Sequence, residues 1–81
     1  MTVYPNPTTG ILNVRISNFD TPISEFLTYD VYGKLVDKVR TQFDNSTETT
    51  QIDMSQLSNG IYFVKAVADG KVVAMRKVVK Q

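Results

Sequence analysis

Residues 60–79 read GIYFVKAVADGKVVAMRKVV, two apolar-rich runs split by the pair Asp69-Gly70. That pair between alternating hydrophobic runs is the strongest short-range hairpin signal in the chain, because a two-residue hairpin turn needs positive φ and Asp and Gly tolerate it. In the first run, Ile61 to Ala68, Tyr62, Val64 and Ala66 alternate with Ile61, Phe63, Lys65 and Val67. The second runs from Lys71 to about Val79, with Val73, Met75, Lys77 and Val79 on one side and Val72, Ala74, Arg76 and Val78 on the other. Period-2 alternation on both sides of a tight turn predicts two antiparallel strands.

The same pattern recurs upstream of this hairpin. Leu12, Val14 and Ile16 alternate with Asn13, Arg15 and Ser17, a half-buried strand over 11–17 that the segment 18–22 interrupts. Ser24 to Tyr32 places Leu27, Tyr29 and Val31 opposite Thr28, Asp30 and Tyr32, and its β-branched and aromatic content favours a strand over a short helix. Gly33 then turns the chain into Leu35 to Phe43, so these two runs pair as neighbours. A polar loop over 44–48 leads into Thr49 to Asp53, with Ile52 pointing inward. Between Asp53 and Gly60 the pattern changes. Asp53 can cap one helical turn near residues 54–58, with Met54 and Leu57 on one side and Asn59-Gly60 closing it in left-handed geometry. Six or seven short strands and no long helix predict an all-β domain of two antiparallel sheets packed face to face.

Size and composition narrow the function. The 81 residues form one domain, 1–81, in which Met1-Thr2 reads as an added start. A domain this small buries little more than ~60% of the surface of its unfolded chain, so a deep substrate cavity would empty its core. Nine Lys and Arg against eight Asp and Glu leave a net charge of +1, with no global field toward nucleic acid or anionic lipid. The chain has no cysteine and no histidine, which removes thiol chemistry, the commonest general base and the commonest transition-metal ligand. No run approaches a membrane span, and no signal-peptide pattern opens the chain.

Acidic residues occur singly, so the paired carboxylates of a glycosidase are not expected, and neither catalytic nor metal-ligating residues are assigned. The run 44–48 has oxygen ligands without the ordered spacing of a calcium loop, and Asn45-Ser46-Thr47 matches a glycosylation triplet that arises easily by chance. Lys71, Arg76, Lys77 and Lys80 give the last strand a basic rim, which on an edge strand guards against aggregation or invites strand addition by a partner. Tyr4, Phe19, Tyr32 and Phe43 fall in or beside turns; they close the ends of the sandwich or, in the alternative reading, Tyr4, Tyr32 and Phe43 serve a small adhesion or carbohydrate-binding module.

Four segments add a more specific likeness: Tyr4-Pro5-Asn6-Pro7 followed by Gly10; Tyr29-Asp30-Val31-Tyr32-Gly33-Lys34; Asp53-Met54-Ser55-Gln56-Leu57-Ser58-Asn59-Gly60-Ile61-Tyr62; and the closing Lys77-Val78-Val79-Lys80. In this order and spacing they resemble the type A C-terminal sorting domain of the type IX secretion system of Bacteroidota. The likeness covers nearly the whole chain. Met54 stands where leucine is typical, Tyr32 where an aliphatic residue is usual, and Gln81 follows the final lysine.

The resemblance implies an Ig-like sandwich of about seven strands at the C-terminus of a larger secreted cargo. It implies no enzyme activity, no cofactor, no nucleic acid and no small-molecule substrate. The implied partners are the outer-membrane translocon, its shuttle protein, a sortase-like peptidase and the cargo domain of the same chain. The parent protein would pass through the periplasm to the outer membrane surface or the medium. Carried over by residue, the candidate recognition elements are Pro5, Asn6, Pro7 and Gly10; Asp30, Gly33 and Lys34; Gly60 and Tyr62; and Lys77, Val78, Val79 and Lys80. Of these, the tail from Lys77 to Gln81 is expected to be an accessible end open to strand addition or carboxylate capture. The prolines are expected to form a stiff threshold between cargo and domain.

Overall fold

A computed structural model describes residues 1–16, 22–41 and 49–81. Seven strands run β1 (Thr2–Tyr4), β2 (Ile11–Arg15), β3 (Glu25–Tyr29), β4 (Leu35–Arg40), β5 (Thr49–Asp53), β6 (Gly60–Ala68) and β7 (Lys71–Lys80). They form a three-stranded sheet ordered β1-β2-β5 and a four-stranded sheet ordered β4-β3-β6-β7, antiparallel throughout. This is the expected all-β sandwich. Phe43 and the polar loop over 44–48, with its possible calcium ligands and glycosylation triplet, lie outside the described residues, as does Phe19.

The β6–β7 hairpin forms as the sequence predicts. Asp69 and Gly70 have φ of 55° and 76°, the double positive pair of the turn that matches strand twist, and Ala68 pairs with Lys71 across it. The inner rows of both sheets supply the core: Leu12, Val14 and Ile52 from the small sheet meet Phe26, Val64, Ala66 and Val78 from the large one. Burying each of the larger side chains contributes about 1.5–3 kcal/mol, and this thin layer is the main cohesive term. Thr28 is also fully buried on the inner row of β3.

Three details depart from simple alternation. A register shift between Ala66 and Val67 leaves Val73 unpaired, so Val72 pairs with Val67 instead of sharing a row with Ala74. Such a bulge flips the side chains beyond it to the other face. Second, residues 54–58 do not form a helical turn. Leu57 N donates to Met54 O at 3.0 Å, Asp53 Oδ1 accepts from Ser55 N at 2.9 Å, and the chain then extends into Gly60 at φ 155°. One hydrogen-bonded turn held by an Asp side chain satisfies the local donors, and no further i, i+4 bond propagates it. Third, β1 exists: Val3 pairs with Val14 and packs against the core, although residues 2–4 carry too short a pattern to read as a strand.

Candidate recognition site

The stretch from Pro5 to Gly10 is the connection between β1 and β2, inside the fold and at the opposite end of β1 from Met1. The expected threshold between cargo and domain is therefore corrected: a segment whose neighbours on both sides are sheet strands cannot act as a free spacer. The Tyr4–Pro5 and Asn6–Pro7 peptide bonds are both cis.

This connection lies along the outer edge of β7. The Asn6 side chain donates through Nδ2 to Lys77 O at 3.0 Å and accepts from Val79 N at 2.9 Å through Oδ1. One residue pair further on, Thr8 N donates to Val79 O and Gln81 N donates to Thr8 O, both at 2.8 Å, which closes a short parallel bridge between Thr8 and Lys80. The primary amide of Asn6 thus reproduces the donor–acceptor pair of a strand residue, and the backbone of Thr8 continues the ladder. Thr8 is fully buried, and its hydroxyl donates to Ile11 O at 2.9 Å and accepts from Gly10 N at 3.2 Å. Gly10 O in turn accepts from Met54 N at 2.8 Å.

These bonds overturn the expected free tail. The outward N–H and C=O groups of Lys77, Val79 and Gln81 are where a partner strand would attach, and Asn6 and Thr8 already occupy most of them. Val78 is in the core and Lys80 is only 7% exposed, its Nζ reaching Gln81 O at 3.3 Å and Asn59 Oδ1 at 3.5 Å. Lys80 accordingly leaves the basic rim, while Lys71, Arg76 and Lys77 remain exposed on it.

The first hairpin supplies the second part. Asp30 Oδ1 accepts from Tyr32 N and from Lys34 N, both at 2.9 Å, and Gly33 takes φ 82° to let the chain reverse. Facing this turn, Tyr62 is buried and its hydroxyl donates to Ser58 O at 2.7 Å. Between the turn and residues 56–62 lies a half-open cleft of about 400 Å³, walled by Val36, Leu57 and Ile61 and flanked by Tyr32. Tyr32 projects into solvent at 92% exposure and does not close the end of the sandwich. Tyr4, placed by the sequence in a turn, ends β1 and stays partly exposed. Nearby, the Asp53 carboxyl is held below the usual carboxylate range by the Ser55 hydroxyl, then by the Ser55 amide.

All thirteen residues singled out in the sequence gather at one end of the sandwich. Gly60 pairs with Lys80, Asn6 spans Lys77 and Val79, Gly10 holds Met54, and Asp30 shares a cleft with Gly60 and Tyr62. Thr8, which carries the bridge to Lys80, was not among them; in Pro7-Thr8-Thr9-Gly10 nothing local marks the first threonine, and not the second, for burial. Among the described residues, no cluster of acidic, histidine or cysteine side chains could hold a metal ion.

Residues 2–81 match the family model described as the secretion system C-terminal sorting domain. No curated protein sequence matches the chain.

Proposed function

The chain belongs to the C-terminal sorting domain family of the type IX secretion system, and on that premise we propose that the folded domain is the address label of a larger cargo, recognised as a folded object. That family is a sorting signal rather than a catalytic one. In this reading the outer-membrane translocon and its shuttle protein bind the end of the sandwich where Asn6, Asp30, Gly60 and the terminal strand meet. A sortase-like peptidase then removes the domain, and the cargo is anchored at the surface or released. The cargo joins at the Met1 end, away from that cluster, which leaves the recognition end free of it.

The family match over residues 2–81 carries this reading, and the convergence of the motif segments supports it. The binding groups in this reading are the exposed ones, Pro5, Pro7, Lys34 and Lys77, together with the rim of the cleft, while Gly33, Tyr62, Val78 and Lys80 hold the shape. The test is a reporter carrying a periplasmic signal peptide at its N-terminus and this domain at its C-terminus, expressed in a bacterium that has the system. Export of the reporter with loss of the domain is expected. A reporter retained in the periplasm would rule the sorting role out.

A further inference from the structure

An antiparallel sheet with one face on the core normally turns polar residues outward on the other. The four-stranded sheet does not. Its outer rows carry Tyr29, Phe63, Leu35, Ile61, Val72 and Met75, the last four between 41% and 54% exposed. The bulge at Val73 adds Val72 to this face by pairing it with Val67. Strands apolar on both faces are the signature of a sheet covered on both sides, and an apolar patch of this extent marks an interaction surface.

Charge identifies the kind of cover. Lys38, Arg40, Lys65 and Lys77 lie on the same outer rows, against one acid, Glu25, which Lys38 already engages at 3.4 Å. The face is therefore +4 − 1 = +3, while the remaining five cations and seven acids of the chain sum to −2. A second copy laid face to face would oppose like charges, which is costly at an interface. A bilayer interface favours aromatic side chains that project from the surface, whereas Tyr29 and Phe63 are half-buried in the sheet and Lys65 Nζ lies 4.5 Å from the Tyr29 ring centroid. A cationic face with its aromatic rings set into the sheet fits a packed protein surface instead.

We propose that the outer face of the β4-β3-β6-β7 sheet docks an acidic protein surface bearing apolar side chains, belonging to the export machinery. This rests on the sorting role above and adds to it a second contact, on the sheet face, which meets the end of the sandwich at Lys77 and Ile61. The test compares three variants of the reporter fusion: Arg40→Glu, on the part of the face away from that end, the pair Met75→Glu with Arg40→Glu, and Gln51→Glu on the other sheet as control. Reversing charge on the face is expected to lower export at least about tenfold for the pair and less for the single change, with the control unaffected. Arg40 has an exposed side chain and is not among the groups assigned to the end of the sandwich, so the single variant reads docking on the face even if the pair loses stability, which thermal melting reports. Unchanged export of both face variants would overturn the docking surface while leaving the sorting role intact. Failure of the unaltered fusion to be exported would overturn both. Binding of the purified fusion to vesicles containing anionic phospholipid, lost in Arg40→Glu, would assign the face to lipid. A dimer in sedimentation that Arg40→Glu dissociates would assign it to a second copy, and either outcome would overturn the protein partner.

Discussion

Asn6 does the work of a strand residue with its side chain. Its amide makes one bond to Lys77 O and one to Val79 N, and each is worth about 1 kcal/mol net. Asn6→Asp keeps the acceptor for Val79 N but loses the donor and sets a carboxylate beside the Lys77 carbonyl. Asn6→Ala loses both bonds. Denaturant unfolding should therefore show a loss of roughly 1–3 kcal/mol for each. Amide exchange at Val79 should accelerate in Asn6→Ala and stay slow in Asn6→Asp, a contrast that separates the two halves of the clamp. Equal exchange rates at Val79 in both variants would mean that the side chain is not its partner. The sequence marked Asn6 as a motif residue without saying what it held, because its partners are more than 70 positions away.

At the scale of elements, most of the fold was legible and its irregularities were not. The β6–β7 hairpin, β5 and the β3–β4 pair follow from alternation and turn residues, which are local signals. The strand β1, the bulge at Val73 and the hydrogen-bonded terminus depend on what lies across the sheet. Alternation in 71–79 assigns Val72 and Ala74 to one row, and only the pairing partner Val67 reveals the slip. The link from β5 to β6 shows the same limit: Asp53 was expected to cap a helical turn, and its side chain instead holds a single hydrogen-bonded turn that no helix continues. Ionised Asp53 accepts bonds from the Ser55 hydroxyl and amide, which lower its folded pKa from the unfolded value of 3.8. A depressed carboxylate contributes stability that is present above pH 3.8 and fades as the pH falls through the lower folded value. Asp53→Asn should lower the melting temperature at neutral pH and flatten its fall below about pH 4, so that the variant and the unaltered domain converge in acid. Parallel acid melting profiles for the two proteins would remove the carboxylate from this role.

For the whole molecule, the closing segment Lys77–Gln81 ties both sheets and the β1–β2 connection together, so its removal is a structural event before it is a loss of recognition. A domain of 81 residues has a net stability of roughly 4–12 kcal/mol. Deleting residues 77–81 takes away the buried Val78, about 2–3 kcal/mol. It also removes the bonds from Asn6 and Thr8 to the strand, about 1 kcal/mol each. The sum rivals the total. A truncated domain should expose the segment from Met1 to Gly10 to limited proteolysis and melt well below the intact one. Export lost on truncation would then report unfolding and recognition together. The single changes Val78→Ala and Lys77→Gln separate them: the first should lower the melting temperature and leave the exposed surface unchanged, the second should do the reverse. If export follows Val78→Ala in proportion to stability and ignores Lys77→Gln, the terminal motif serves the fold alone. If export falls with Lys77→Gln at unchanged melting temperature, its side chain is read by a partner.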